Sequence, residues 1–198
     1  MQVRHRFATF VKTGICAGLI PMTPGFWAIA AQVGAVSQDQ RMPAYEEFEV
    51  RAVFLLSMAK FTEWPSEALP EGAPLVIGVL GDSPMGPALE ALAGAKAGDR
   101  RIVVRRFRGA SDVQQPCHIL YFSASEERQM STLRRKLEAW SVLTVGETSF
   151  FLGFGGALHL FQEEGRMRFT LNRASLDRSR LRVAAQVQRL AKQVVVQP

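Results

Sequence analysis

Two histidines and one cysteine are the residues beyond position 35 whose chemistry best suits catalysis. His118 and His159 each lie inside an apolar run, and neither stands at metal-ligand spacing from another histidine, cysteine or carboxylate. Cys117 directly precedes His118, but neighbouring residues of a strand point to opposite faces of a sheet. We therefore expect two structural histidines and a buried, inert thiol, with neither a catalytic centre nor a cofactor.

Small and polar residues follow three predicted strands, at Gly81-Asp82-Ser83, Ser123-Ala124-Ser125 and Gly146-Glu147-Thr148. Ligands of open α/β sheets gather at the carboxyl ends of the strands, where N–H groups of helix starts hold carboxylate or phosphate groups. The candidate ligand-binding residues are Gly81, Asp82, Ser83, Ser123 and Ser125. Helix capping alone explains the same residue types, so both interpretations stay open.

Apolar strands that alternate with helices must position these residues. The pattern predicts an α/β fold: a single domain whose central mixed sheet of about six strands has helices on both faces. The predicted strands are 75–80, 101–107, 117–122, 142–145, 156–161 and 167–171, and the predicted helices are 45–63, 84–93, 123–140 and 174–195. Glu163-Glu164-Gly165 predicts a hairpin turn between the last two strands.

The first predicted helix is apolar around most of its circumference and must be covered on most of its surface. It offers surface to a partner protein or to a second copy of the chain, which would make a homodimer. The candidate contact residues are Phe54, Met58, Phe61 and Trp64. Burial of the same side chains within the domain is the alternative.

The N-terminus has the pattern of a secretory signal peptide. Arg4, Arg6 and Lys12 precede an uncharged apolar run, which ends in the small-residue pattern Val33-Gly34-Ala35. We expect residues 1–35 to be a cleaved signal peptide, 36–44 a short tether and 45–198 the mature domain, exported to the periplasm. An uncleaved membrane anchor is the alternative, since the run is just long enough to span a bilayer.

Charge argues against nucleic acid as a partner. The chain carries 24 basic and 18 acidic residues, and removal of the three basic leader residues leaves only a mild excess. Five arginines crowd one predicted strand and its end, at positions 100, 101, 105, 106 and 108. On an edge strand such charges prevent sheet-to-sheet aggregation, although an acidic partner or a phospholipid surface would also suit them.

Several segments, in this order and spacing, resemble the YfiR family from about Phe48 to Val195. The segments are 48–54, 61–65, 77–83, 117–123, 142–145, 155–160 and 165–172. The resemblance implies a central sheet flanked by helices. It also implies a periplasmic sensor-regulator that represses a membrane-bound diguanylate cyclase by binding its periplasmic domain.

The chain departs from the member that gave this family its name, which has two disulfides. Cys117 matches one of its cysteines, but the position expected for the partner, near Gly78, is not cysteine, and the segment 146–155 has none. Redox sensing through an internal disulfide is therefore not available. We expect a non-enzymatic regulator of an inner-membrane diguanylate cyclase or sensor kinase, with a small-ligand-binding module as the alternative.

Overall fold

An eight-stranded mixed sheet forms the centre of the computed structural model, which describes residues 44–196 and the side chains of 47–196. The strands are β1 (Thr62–Glu63), β2 (Leu75–Leu80), β3 (Lys96–Ala97), β4 (Arg100–Phe107), β5 (Ile119–Phe122), β6 (Leu143–Gly146), β7 (Leu158–Glu163), β8 (Arg166–Asn172), β9 (Arg182–Val183) and β10 (Gln193–Val195). Their order in the sheet is β10-β8-β7-β6-β5-β2-β4-β3, while β1 and β9 form a separate antiparallel pair.

Five α-helices are described. They are α1 (Ala44–Lys60), α2 (Met85–Glu90), α3 (Met130–Ala139), α4 (Arg173–Arg178) and α5 (Ala185–Leu190). Short 3₁₀ segments cover Ala110–Asp112, Glu127–Gln129 and Ser149–Phe154. None of the helices between residues 44 and 196 is long and apolar enough to cross a membrane.

Five neighbouring strands, β4, β2, β5, β6 and β7, run parallel. The chain places β4 on one side of β2 and then returns to place β5 on the other side. The connections after β2 and β5 therefore diverge at this point, which is the topological switch point where open α/β sheets leave a crevice. The predicted hairpin turn is confirmed: Glu164 and Gly165 take positive φ angles of 51° and 71° and reverse the chain between β7 and β8.

Each face of the sheet is covered by apolar side chains that alternate along the strands. Ile77, Tyr121 and Leu160 point towards the layer that contains α1, α2, α4 and α5. Leu120 and Phe122 point to the opposite face, where α3 and the segment Ser149–Phe154 pack. The prediction of helices on both faces is confirmed.

Two parts of the predicted secondary structure need correction. The sheet has eight strands rather than about six, because the two- and three-residue strands β3 and β10 extend its edges. The predicted closing helix over 174–195 is wrong: this segment forms α4, β9, α5 and β10. A turn ends α4, in which Arg180 has a positive φ of 55° and Leu181 donates its N–H to the Leu176 carbonyl at 2.9 Å.

The first predicted helix ends earlier than its apolar pattern suggested. The α1 helix stops at Lys60, because Thr62 donates its hydroxyl to the Met58 carbonyl and then pairs with Val183 as part of β1. The expected signal peptide, residues 1–35, and the tether as far as residue 43 lie outside the described residues.

Candidate functional site

The predicted ligand-binding residues lie on two adjacent connections at the switch point. Gly81 donates its N–H to the Phe107 carbonyl at 2.8 Å, and Ser123 donates its N–H to the Leu80 carbonyl at 3.0 Å. A Cβ atom on Gly81 would lie 2.2 Å from Ser123 Oγ and 2.4 Å from Glu126 Cγ. The two connections therefore pack directly against each other, and side chains of the protein occupy the space above Gly81.

The polar members of this group differ in exposure. Ser83 is buried, and its hydroxyl accepts from the N–H of Met85, the first residue of α2, at 3.2 Å. Ser123 is also buried and lies 3.2 Å from Ser125, oxygen to oxygen. Asp82 and Ser125 are exposed. These two side chains are the members of the group that a ligand can reach directly.

Glu147 joins the strand ends to the first helix. Its carboxylate accepts hydrogen bonds from the Tyr121 hydroxyl and from Ser83 Oγ, the latter at 3.2 Å. Burial raises the pKa of the Tyr121 phenol, the charge of Glu147 raises it further, and Arg51 of α1 partly offsets both effects. Tyr121 therefore stays neutral as a hydrogen-bond donor. The charge of Arg51 therefore connects α1 electrostatically to Tyr121 at the switch point, and Arg51 also pairs with Glu47 of the same helix at 2.5 Å.

A buried carboxylate that sequence reasoning missed holds the connection after β6. Glu127 is 2% exposed and accepts from the Glu147 and Thr148 N–H groups at 2.6 and 2.8 Å, and from the Thr148 hydroxyl. Burial raises the pKa of Glu127, and these hydrogen bonds partly counter that rise. No local signal marks this role, because the bonded groups lie 20 residues further along the chain.

Beside Glu127 lies an open cleft of about 300 Å³. Its lining consists of Ala124, Glu127, Arg128, Thr148, Phe150 and Phe154. Phe150 is 74% exposed at the mouth of this cleft. The next residue, Phe151, is fully buried between Gly146 and Gly156 and anchors the segment that presents Phe150.

His118 has the structural role that the sequence predicted. Its Nδ1 accepts from the Val76 N–H at 2.8 Å and its Nε2 lies 3.1 Å from the Ala68 carbonyl, which fixes the neutral tautomer with a proton on Nε2. Burial lowers the pKa of His118, the Ala68 carbonyl acts against that change, and two arginine charges add to it. The Trp64 indole donates to the His118 carbonyl at 3.3 Å, so this histidine supports the segment after α1.

His159 and Cys117 are also a structural histidine and a buried thiol, as the sequence predicted. The His159 ring stacks on Phe161 with centroids 4.7 Å apart, and its Nε2 lies 3.1 Å from the Glu147 carbonyl. Burial lowers the pKa of His159. Cys117 is a free thiol, 1% exposed, and burial raises its pKa to about 12. Between residues 44 and 196 no three histidine, cysteine or acidic side chains are grouped as a metal site.

The four predicted partner-contact residues lie at different depths. Met58 is 2% exposed and belongs to the core. Phe54 is half-buried, with its ring 5.4 Å from that of Phe169. Phe61 is 39% exposed, and the half-buried Trp64 lines a second cleft of about 560 Å³ beside the end of α1.

Two further apolar residues of α1 are exposed. Val50 is 44% and Val53 55% exposed, and the two lie one turn apart on the same side of the helix. We call Val50 and Val53 the exposed stripe of α1. Sequence analysis missed its two valines because the whole helix is apolar, and only the packed structure separates the covered side from the uncovered one.

The arginine-rich strand β4 is next to the edge of the sheet rather than the predicted edge strand. Among the described residues, the two-residue β3 lies outside it and pairs with Arg100 and Arg101. Arg100 donates to the carbonyls of Pro70 and Ala73 at 2.6 and 3.0 Å, and Arg106 pairs with Glu90 at 2.5 Å. These two arginines therefore hold adjacent parts of the same chain.

The mixed sheet with helices on both faces defines an α/β protein, and the candidate-site side chains Ser83, Tyr121, Glu127 and Glu147 are positioned by hydrogen bonds within the chain. A model of the YfiR/HmsC-like family matches residues 48–192. The chain therefore belongs to the YfiR/HmsC-like family, as its sequence motifs indicated. This family consists of periplasmic regulators rather than known enzymes, and it places the chain in the context of cyclic di-GMP signalling.

One solved structure similar to the chain is described as the crystal structure of a conserved domain protein from Vibrio cholerae. The two are 14% identical with a TM-score of 0.47, over 74% of this chain and 60% of the other. The chain thus spans about three-fifths of that protein's length. No curated protein matches the chain.

Proposed function

We propose that this chain is a periplasmic regulatory protein that binds and represses an inner-membrane signalling protein. A diguanylate cyclase with a periplasmic domain fits the family context best, and a sensor kinase is the alternative partner. The observation that carries the proposal is the apolar surface at the end of α1, where Phe61 is 39% exposed beside the cleft that Trp64 lines.

The proposed contact surface consists of Phe54, Phe61 and Trp64, with Met58 supporting it from beneath. Aromatic side chains next to a concave site are typical of the residues that contribute most to protein–protein affinity. Trp64 is held in place by its hydrogen bond to His118, so this side chain loses little conformational entropy when a partner binds.

The link between α1 and the strand ends supports a sensory role. Arg51 lies on the same helix as Phe54, one of the proposed contact residues, and interacts electrostatically with Tyr121, which donates to Glu147. A change in the charge or position of Glu147 therefore acts on α1. We propose that this route transmits events at the strand ends to the partner surface.

The alternative function is the binding of a small ligand at the carboxyl ends of the strands, without a protein partner. The observation in its favour is that Gly81, Ser83 and Ser123 meet at the topological switch point. Asp82 and Ser125 are the exposed groups there. Inorganic phosphate and acetate, titrated during thermal melts, would raise the melting temperature of the wild type but not of Ser125→Ala.

Measurement of cyclic di-GMP in the source bacterium tests the proposed repression. Deletion of the gene should raise the cyclic di-GMP level, and the wild-type gene should restore it. Phe61→Glu should fail to restore it, because a carboxylate in an apolar contact must be desolvated. Val196→Glu is the matched control: Val196 is 76% exposed and distant in sequence from α1, so this variant should repress normally.

Two control measurements show whether the Phe61→Glu protein is folded and exported. The Phe61→Glu protein must melt cooperatively and reach the periplasm, with a mature N-terminus near Val36 by mass spectrometry. An unchanged cyclic di-GMP level in the deletion strain would contradict a diguanylate cyclase as the partner. Full repression by Phe61→Glu would contradict the end of α1 as the contact surface.

A further inference from the structure

The cleft that Trp64 lines is at the opposite end of the sheet from the switch point. It opens between the end of α1 and the starts of the parallel strands β2 and β4, whereas the switch point lies at the carboxyl ends of these strands. Its volume of about 560 Å³ is within the range of natural small-molecule sites. We call it the Trp64 cleft. It is therefore a candidate binding site separate from the one at the switch point.

Trp64 gives this cleft an aromatic wall in a fixed position. Its indole N–H donates to the His118 carbonyl at 3.3 Å, and the two rings meet edge to face with centroids 6.3 Å apart. Because the N–H group is already used, the ring contributes apolar aromatic surface to the cleft rather than a hydrogen-bond donor. Such a surface packs well against the C–H groups on the flat side of a sugar ring.

Two carboxylates line the cleft, and each is carried by a tight turn. Glu71 lies in a turn that is closed by the Ala73 N–H, which donates to the Pro70 carbonyl at 3.2 Å. Asp99 is one of the two residues that join β3 to β4. Both are exposed, and neither has an ion-pair partner within residues 47–196. Their oxygens are therefore available to accept hydrogen bonds from a ligand.

Two cations line the same cleft. Lys60 is exposed and has no ion-pair partner within residues 47–196. Arg100 uses Nη1 to donate to the Pro70 and Ala73 carbonyls, so it holds the turn that carries Glu71. The other N–H groups of its guanidinium remain available as donors. With two positive and two negative side chains, the charges that line the cleft cancel.

We infer that the Trp64 cleft binds a short neutral saccharide, with a sugar ring stacked on Trp64 and its hydroxyl groups bonded to the surrounding charged side chains. A hydroxyl group both donates and accepts, so it suits the carboxylates of Glu71 and Asp99 as well as Lys60 and Arg100. A simple anion would meet the two carboxylates, and a simple cation would meet the two basic groups. A purely apolar ligand would desolvate the charged groups without giving them partners.

This inference goes beyond the proposed function, because saccharide binding needs no signalling partner. Trp64 belongs both to this cleft and to the proposed contact surface, so a bound saccharide and the partner compete for it. Saccharide binding is measured on the purified protein alone, whereas repression is measured in cells. Failure of one result is therefore distinguishable from failure of the other.

Isothermal titration calorimetry of the purified protein with cellobiose, maltose and N,N′-diacetylchitobiose tests the inference. At least one of these disaccharides should bind saturably. Asp99→Asn and Glu71→Gln should each weaken that binding by about fivefold, because each replaces a charged hydrogen-bond acceptor by a neutral one. Glu49→Gln is the matched control: Glu49 is also an exposed carboxylate, but it does not line the cleft, so this variant should bind like the wild type.

Variants of Trp64 test the stacking. Trp64→Ala should abolish detectable binding, whereas Trp64→Phe should keep it within about tenfold of wild type, because a phenyl ring also stacks. If Trp64→Ala does not fold, Asp99→Asn and Glu71→Gln decide the outcome. Failure of all three disaccharides to bind the wild type would overturn the inference. So would binding that these substitutions leave unchanged, or tighter binding of inorganic phosphate or of phenylalanine than of any disaccharide.

Discussion

Replacement of Gly146 by alanine should destabilise the protein strongly, because the new methyl group would overlap the ring of Phe151. An ideal Cβ at Gly146 lies 2.3 Å from Phe151 Cγ, far inside van der Waals contact. The ring is fully buried and has Gly156 against it, where a Cβ would lie 2.2 Å from Phe151 Cε1. With glycine backbone next to the ring at both positions, the ring has no free space into which to move.

The expected magnitude follows from this confinement. Extra methyl groups in a packed core cost about 1–3 kcal/mol, and the overlap at Phe151 places Gly146→Ala near 3 kcal/mol. For a domain of this size that loss lowers the melting temperature by about 6–12 °C. Gly153→Ala is the matched control in the segment that carries Phe151, since a Cβ there meets no atom within 4 Å. It should change stability by less than about 0.5 kcal/mol.

Urea unfolding of a double-mutant cycle identifies the cause. Phe151→Ala alone should cost about 3–5 kcal/mol through the cavity that it leaves. Added to Phe151→Ala, the alanine at 146 should cost almost nothing, because the ring that it would strike is absent. Additive losses in the double variant, or an equal loss in Gly153→Ala, would refute steric confinement of Phe151 as the reason for glycine at position 146.

Three further predictions concern single residues. Phe54→Glu should lower the free energy of unfolding by about 1–3 kcal/mol, because Phe54 packs on Phe169. In urea denaturation the control variant Val53→Glu should stay close to wild type. Equal losses of stability in the two variants would contradict the prediction. Burial lowers the pKa of His118 from 6.5, so on acidification the unfolded chain takes up the proton before the folded protein does. The free energy of unfolding should therefore be full above about pH 6.5 and fall as the pH drops, with a smaller fall in His118→Gln. A free energy of unfolding that does not change with pH would disprove this prediction. Reductant should shift the melting temperature by less than ~1 °C, because Cys117 is a free buried thiol; a large shift would indicate a disulfide between chains.

The central strands were predictable from the sequence, because each is a continuous apolar run bounded by turn residues. Strands such as β2 and β5 are buried along their whole length, so the apolar run itself is the signal. The isolation of His118 and Cys117 from other catalytic side chains was also visible locally. Family membership followed from the order of these same segments.

The segment 174–195 shows what local pattern does not decide. Its apolar residues at helical spacing, such as Leu176, Val183 and Val187, are all buried, although they belong to three different elements. The hydrogen bonds of β9 come from Thr62–Glu63, and those of β10 from strand β8. Pairing with distant strands satisfied backbone groups that a continuous helix would have satisfied internally.

The candidate site depended on tertiary structure for a similar reason. The sequence supplied the residue types at the strand ends, but which ends are neighbours depends on strand order, and that order places β5 beside β2. Glu127 binds N–H groups 20 residues away, and Phe151 packs against two glycines on separate segments. On α1, composition alone determined that the helix must be covered. Which side chains stay exposed was decided only when the sheet took up one side of the helix and left Val50 and Val53 in solvent.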